Sequence, residues 1–576
     1  MTEISAELFA DQADVRVSVL LPLRLEQAFD YAVPDARAVQ SGDYVTVPLG
    51  GRVVTGVVWD AGGTSGDVRV DAAKLKTIIE RVDLPPLPEV HRKFVEWVSG
   101  YTLTPLGTVL HMTLGRGFAV GPGRPRIGYA VAGEPPQRMT SARERVLKLL
   151  ADGPPRALQD IARLAAVGTG VVKGLADAGT LVAVELPSRI RDEEPDWRQP
   201  GPVLNAAQAE AAGELRRKTA DGKFSVTVLD GVTGSGKTEI YFEAIAEALQ
   251  GGGQVLVLLP EIGLTSQWLD RFERRFGAAP DLWHSELSHG QRKCTWRAVA
   301  EGHARVVVGA RSALFLPFRD LRLIVVDEEH DPSFKQEEGV IYHARDMAVV
   351  RASLGALPAV LVSATPSLET VVNVTVGRYQ CLHVADRFGG ARLPEIAAVD
   401  MRADPPERGS WLSPPLISAI EKTLDGGEQV MLFLNRRGYA PLTLCRTCGH
   451  RLQCPNCSTW LVEHRQRGRS QCHHCGFNVS LPSKCPECEN KGTLVACGPG
   501  VERLAEEVAH RFPALRVAVM SSDNMTGPAA VADLIRRIER HEIDLIIGTQ
   551  IMAKGHHFPM LTLVGVVDAD LGLSGG

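Results

Sequence analysis

Residues 230–238 read Asp-Gly-Val-Thr-Gly-Ser-Gly-Lys-Thr, and the rest of the chain is understood from them. Gly231, Gly234, Ser235, Gly236, Lys237 and Thr238 fall in the pattern G-x-x-x-x-G-K-[ST], a phosphate-binding loop. Glycines let main-chain N–H groups crowd around a polyphosphate, and a helix N-terminus adds a favourable dipole. The lysine supplies a point charge for the terminal phosphates, and the threonine hydroxyl can ligate Mg²⁺. The flanks supply the context the motif needs. FSVTVL (224–229) predicts a short buried strand, and residues 239–249 carry apolar side chains at helical spacing. Together they predict a nucleoside-triphosphate site.

Outward from the loop, short and almost wholly apolar runs recur: QVLVLLP (254–260), RVVVG (305–309), LIVVD (323–327) and AVLVSA (359–364). Such runs belong to a parallel sheet covered on both faces. A second set follows: QVMLFL (429–434), DLIIGT (544–549) and LVGVVD (563–568). The run at 323–327 ends in Asp327-Glu328-Glu329-His330, 90 residues after Lys237. In a parallel sheet the C-terminal strand ends face the ligand crevice. Asp327 is expected to hold the Mg²⁺ shell, and Glu328 to orient and deprotonate an attacking water. Ser363-Ala364-Thr365 falls at the same edge. Gln208 stands where an adenine contact is expected; the alternative is an exposed helix glutamine.

Length, 576 residues, suggests about four domains. Hydrophobic content of 44% and charged content of 23% are ordinary for a soluble protein. No apolar run approaches the roughly 18 residues of a membrane span. The acidic N-terminus lacks a signal-peptide pattern, so a cytoplasmic protein is expected. A net charge of −5 confines any nucleic-acid affinity to local basic surfaces. No internal repeat is evident.

Residues 1–118 form a β-rich region with one amphipathic helix at 90–103. Residues 119–190 read as a winged helix, with helices at 141–150, 158–165 and 168–178, a Ser at the first cap, and a wing strand at 180–184. Its third helix carries one basic residue, Lys173, so a packing or spacer role is as well supported as groove reading. Residues 191–203 are charged and Pro-rich, as in a linker. The two α/β lobes then span 204–385 and 386–576, the second containing an insert at 442–492.

That insert holds eight of the 11 cysteines, in four C-x-x-C pairs. In a reducing compartment such pairing means metal, and Zn²⁺ takes four thiolates tetrahedrally. The short segment between the middle pairs predicts that Cys454 and Cys457 share an ion with Cys472 and Cys475. The outer pairs, Cys445/Cys448 and Cys485/Cys488, close a second site. Arg465, Arg467 and Arg469 cluster at a hairpin tip, suited to phosphate or a protein partner.

The loop, DEEH, SAT and second lobe resemble superfamily-two helicases. Finer strings narrow the likeness: PEIGLTSQ (260–267), RSALF (311–315), DEEHDPSFKQEEGVIYHARD (327–346), SATPSLET (363–370), FLNRRGYAP (433–441) and GTQIMAKGHHFP (548–559). With the cysteine insert, they resemble the bacterial primosomal replication-restart helicases, the PriA family. The resemblance implies ATP as nucleotide and 3′→5′ translocation on single-stranded DNA at stalled forks. It implies partners as well: primosome proteins, single-strand DNA-binding protein and the replicative helicase loader. A monomer without membrane association is expected. The resemblance makes Phe29, Asp30, Gly50 and Lys76 a pocket for a DNA 3′ end. It makes residues 330–345 a loop coupling DNA contact to hydrolysis, with Phe334 and Tyr342 stacking on bases. Relatives continue past GTQIMAKGHHFP to an Arg-rich motif and a further domain, whereas this sequence stops at Gly576. A C-terminally truncated protein with an incomplete second lobe and little unwinding activity is therefore expected. A non-catalytic fork-binding scaffold is the alternative.

Overall fold

In the computed structural model the apolar runs of the first lobe pair as one parallel sheet. Its strands lie in the order Asp281–Trp283, Val306–Gly309, Gln254–Leu258, Leu321–Asp327, Pro358–Ser363, Ser225–Gly231, Gln380–Val384. Side chains from Val255 to Leu258 and from Leu323 to Val326 are wholly buried, which is why those strands show no polar alternation. The structure describes residues 15–33, 39–61, 75–115, 126–133, 135–136, 139–151, 155–186, 194–260, 266–387, 393–401, 403–407, 410–434, 501–520, 528–549 and 558–567, and 442–497 with short gaps. The chain divides into two compact units, 1–261 with 269–391, and 262–268 with 392–576.

The first unit opens with a six-stranded sheet, ordered Lys76–Thr77, Phe29–Val33, Val15–Leu20, Arg52–Asp60, Tyr44–Leu49, Glu80–Arg81. Two helices follow, Glu89–Thr102 and Leu106–Leu114; the second was not foreseen in the sequence. It lies so close to residues 21–25 that a Cβ at Gly107 would sit 2.3 Å from the Leu23 carbonyl. Both helices bury their apolar faces in the core of the first lobe. Phe94, Val98 and Leu110 share one cluster with Trp296, Phe315 and Met347. Trp296 also donates its indole N–H to the Thr113 carbonyl at 2.7 Å.

Residues 126–186 contain helices Ser141–Ala151, Leu158–Leu164 and Thr169–Asp177 with a three-stranded antiparallel sheet, Arg156–Ala157, Arg126–Val131, Leu181–Leu186. The first helix is capped one residue earlier than expected: Thr140 Oγ1, not Ser141, accepts from the Arg143 N–H. The stretch expected as a linker is strapped down where it is described. Asp196 N–H donates to Phe276 O at 2.8 Å, and the buried Arg275 guanidinium donates to Gln199 O and to Glu243. A buried guanidinium must find acceptors, and this segment supplies one.

The second unit holds a four-stranded parallel sheet, ordered Val517–Met520, Leu545–Gly548, Gln429–Phe433, Leu561–Val566. Helices Pro414–Asp425, Val501–Arg511 and Pro528–Glu539 accompany it. Its cysteine segment carries a small antiparallel sheet, Val462–His464, Arg469–Gln471, Asn478–Ser480. Arg465 and Arg467 lie outside the described residues, as do most of 260–267, 433–441 and 548–559.

Candidate functional site

The strand Ser225–Gly231 delivers its chain end into the glycine loop, and helix Lys237–Gln250 starts at the lysine itself. Gly234 and Gly236 have φ of 79° and 80°, a region that glycine enters without cost. A Cβ at Gly236 would lie 2.5 Å from Gln208 Nε2, and one at Gly231 would lie 2.7 Å from Ser235 Oγ. The Ser235 hydroxyl is buried with no hydrogen-bond partner in the structure. An orphaned donor inside a cradle that admits only glycine fits an anionic ligand. Lys237 Nζ donates to the loop carbonyls of Gly231 at 2.8 Å and Val232 at 3.3 Å. Burial lowers its pKa, while the carboxylates of Glu328, Asp327 and Asp230 pull the other way.

Gln208 is not the exposed helix glutamine of the alternative reading. It is 1% exposed and forms a reciprocal capping box with Asn205. Its Nε2 donates to the Ser235 carbonyl at 2.8 Å, so its amide braces the loop.

Two strands from Ser225–Gly231, across Pro358–Ser363, the strand Leu321–Asp327 ends at the same level: Asp230 is in register with Ser363, and Asp327 with Val362. The loop, the carboxylates and the SAT hydroxyls therefore share one edge, as the motif order predicts. Asp327 accepts from Tyr241 OH at 2.8 Å and from the Glu328 N–H at 2.9 Å. Burial pushes its pKa up to about 6, with the neighbouring Glu328 charge adding and the Tyr241 bond opposing. Glu328 has φ of 51°, a left-handed backbone costing a non-glycine residue roughly 1–2 kcal/mol. Its side chain is about half exposed, 48%, and stands 3.6 Å from His330 Nδ1. Ser363 Oγ accepts from the Thr365 N–H at 2.9 Å and lies 2.8 Å from His330 Nδ1.

The third acid of DEEH is the residue that sequence reasoning passed over. Glu329 is fully buried. It accepts from the Ser367 N–H at 2.7 Å, from Thr370 Oγ1 at 3.0 Å and from Arg345 Nη1 at 3.1 Å. Its position in a run of acids gave no signal; only Arg345, 16 residues on, hinted at a buried partner.

Phe334 and Tyr342 are not stacking platforms here. They are 1% and 3% exposed, and Tyr342 meets Phe315 edge-on at 5.5 Å. Residues 330–345 are anchored by these rings, and Arg311 fastens them further by donating to the Ser333 and Lys335 carbonyls.

In the N-terminal sheet, Tyr31 pairs with Lys76, and Tyr31 OH donates to the Pro48 carbonyl at 3.3 Å. That bond ties the strand of Phe29 and Asp30 to the strand that turns at Gly50. Phe29 is 40% exposed, and Gly50 has φ of 60° with open space where a Cβ would be. Asp30 accepts from Ser18 Oγ at 2.9 Å, with Arg16 at 3.9 Å.

The eight cysteines gather into two sets, Cys445, Cys448, Cys485, Cys488 and Cys454, Cys457, Cys472, Cys475, the sulfurs of each within 4.8 Å of one another. This is the nesting expected from spacing. Sulfur separations of 3.3–3.7 Å are far beyond a disulfide bond. They match the edge of about 3.8 Å of a tetrahedron with Zn–S of about 2.3 Å. The knuckles are built alike: the N–H groups of Cys445, Cys472 and Cys485 donate to the carbonyls of His450, Phe477 and Asn490. Gly476 and Glu489 take the left-handed turn at equivalent positions.

No helix among the described residues is long and apolar enough to cross a membrane. Comparison with known proteins finds three families along the chain. Residues 18–115 match the PriA 3′DNA-binding domain (3′BD), 205–374 the DEAD/DEAH box helicase, and 454–478 the PriA DNA helicase Cys-rich region (CRR) domain. Replication restart protein PriA of Rickettsia felis is 39% identical over 96% of this chain and 74% of its own length. That of Haemophilus influenzae is 37% identical over 97% and 77%. That of Bacillus subtilis is 41% identical over 65% and 47%.

Proposed function

The chain belongs to the PriA family of replication restart proteins, a helicase family, and on that premise we propose that it couples ATP hydrolysis to 3′→5′ movement on DNA at stalled forks. One observation carries the reading: the glycine cradle, a partly buried carboxylate and a strained, exposed carboxylate meet at one sheet edge. The Gly231–Thr238 loop holds the phosphates, with the unpartnered Ser235 Oγ inside the cradle and Lys237 Nζ exchanging its loop carbonyls for the terminal phosphates. Asp327 and Thr238 would hold Mg²⁺, which when bound spreads the developing phosphate charge. Glu328, held out by its left-handed backbone, takes the proton of the attacking water. Gln208 keeps the loop in register.

The 3′-end reading rests on the match over 18–115, on Phe29 and Asp30 lying on the strand beside that of Lys76, and on the Tyr31–Pro48 bond that ties this strand to the one ending before Gly50. Phe29 offers a stacking face, and Lys76 a cation for the last phosphate. Residues 126–186 act as a winged-helix spacer. Primosome proteins, single-strand DNA-binding protein and a helicase loader are the partners this role requires, with the chain acting as a monomer. The test is ATP hydrolysis with duplexes carrying a 3′ or a 5′ single-stranded tail, beside Lys237→Ala. Stimulation by the 3′ tail alone is expected, and it vanishes in the variant. Equal stimulation by 5′ tails overturns the direction; hydrolysis that survives Lys237→Ala overturns the site.

A further inference from the structure

The helix Ala344–Leu354 carries two buried arginines facing different neighbours. At its first turn Arg345 bonds Glu329, the residue beside Glu328. Six residues later, about 9 Å along the axis, Arg351 is 3% exposed. Its Nη2 donates to Leu316 O at 2.9 Å and to His91 Nδ1 at 3.1 Å, and its Nη1 donates to Leu314 O. His91 belongs to helix Glu89–Thr102, inside the stretch matching the 3′ DNA-binding domain. A guanidinium can only donate, so His91 accepts at Nδ1 and donates its Nε2–H to Thr113 Oγ1, 2.9 Å away.

The contact continues in a line of rings. The Arg351 guanidinium lies over Phe94 at 5.5 Å, Phe94 meets Phe315 at 5.3 Å, and Phe315 meets Tyr342. Tyr342 ends the loop that runs directly into the first turn and Arg345. Packing alone does not call for this arrangement. Arg351 is a buried cation whose bonded partners are carbonyls and a neutral imidazole, and an apolar side chain of its volume would serve stability as well. Ionic groups kept at such cost are best attested as register devices.

We propose that His91 and Arg351 are positioning residues that register the 3′-end domain against this helix, so that filling the 3′-end pocket and filling the nucleotide site change each other's affinity. The inference rests on the 3′-end reading above. Coupling of this kind is reciprocal, and values of fivefold or more are ordinary.

The test titrates the full chain with a fluorescent, non-hydrolysable ATP analogue, with and without a short single-stranded oligonucleotide ending in a 3′-hydroxyl. A 3′-phosphate version is the control, since the Asp30 carboxylate repels it. In the unaltered protein the 3′-hydroxyl oligonucleotide shifts the analogue Kd about fivefold or more. Arg351→Met and His91→Leu each bind either ligand alone within about twofold of the unaltered protein, yet lose the shift, and the double variant loses no more than either single one. Should Arg351→Met fail to fold, Phe315→Leu breaks the ring line without unpairing a polar group and gives the same loss. Variants that bind both ligands and keep the shift overturn the inference, as does an unaltered protein that binds both with no mutual effect. Equal binding of the 3′-phosphate and 3′-hydroxyl oligonucleotides overturns the 3′-end reading instead, whatever the shift.

Discussion

The two parallel sheets are built on the same latch and used for different ends. In the first, Gln254 opens its strand and donates Nε2 to Val299 O in the last turn of a helix and to Ala304 O in the turn that leads to the neighbouring strand. In the second, Gln429 opens its strand and donates Nε2 to Ile538 O and Ile543 O in the same setting. Both strands shift register immediately after that glutamine. Four strands correspond one for one, yet no repeat shows in the sequence, because what repeats is a single buried amide in a field of interchangeable aliphatics. The ends differ. The first sheet delivers a glycine loop and carboxylates; the second delivers its chain into the cysteine segment between Phe433 and Val501. Architecture is thus carried by residues that do no chemistry, and chemistry is placed at strand ends where architecture is indifferent.

Removing zinc breaks this comparison most severely. A structural Cys₄ site contributes apparent folding free energy on the order of 10–16 kcal/mol. Cys454→Ser should therefore lose one of the two metal sites and unfold the segment, read as metal content and proteolytic nicking within 442–497. The first sheet should be untouched, with ATP-analogue affinity unchanged within about twofold. Lost nucleotide binding in that variant would show that the two regions are not independent. Next in size is Lys237→Ala, expected to cut the hydrolysis rate on the order of 10²–10³-fold. Its zinc content and urea midpoint should match those of the unaltered protein.

Legibility follows the same division. Glycine loops, acidic strand ends and C-x-x-C knuckles are readable because their chemistry needs fixed residue types at fixed spacing. Cysteine nesting, the parallel sheet of the first lobe and the shared sheet edge were all accessible that way. Gln208, Glu329 and Gln254 were not. Each is a polar residue whose role is decided by a carbonyl or hydroxyl distant in sequence. Phe334 and Tyr342 erred in the opposite direction: an aromatic in a loop looks like a ligand platform until the neighbouring Phe315 is placed. The helix Leu106–Leu114 was missed because Gly107 near its start argues against a helix unless Leu23 is known to press there.

The latch itself can be challenged. Gln429→Leu takes the side-chain donor from the Ile543 carbonyl and leaves Ile538 O only the His541 N–H, and should cost about 1–3 kcal/mol in denaturant unfolding of its unit. Gln254→Leu should cost more, since Gln254 Oε1 also accepts from the Arg319 and Asp320 N–H groups at 2.8 and 3.1 Å. The reverse order, or a negligible cost in either unit, would reduce the shared latch to coincidence.

The finest contrast lies one residue past the aligned strands. Val255 pairs with Leu323 as Val430 pairs with Leu563, so the position of Asp327 in the first sheet is that of Val567 in the second. Val567 is buried and Asp327 partly so. The valine costs nothing, but the aspartate holds its proton up to a pH of about 6 against an ordinary value of 3.8, a gap of about 3 kcal/mol. The native state therefore binds a proton that the unfolded state releases, so stability falls as pH rises through that window. The penalty is complete above about pH 6 and absent below the ordinary value. In EDTA without nucleotide, Asp327→Asn should be the more stable protein at pH 8, and the advantage should disappear near pH 4. Tyr241→Phe gives the smaller and sharper change. It removes a bond that favours the ionised carboxylate, so the window extends upward and stability at pH 8 drops by a further ~1–2 kcal/mol. In the Asp327→Asn background the amide oxygen gains little from that hydroxyl when pH rises. The pH-dependent part of the Tyr241→Phe effect should then vanish in the double variant, which assigns it to the one carboxylate that the second sheet does without.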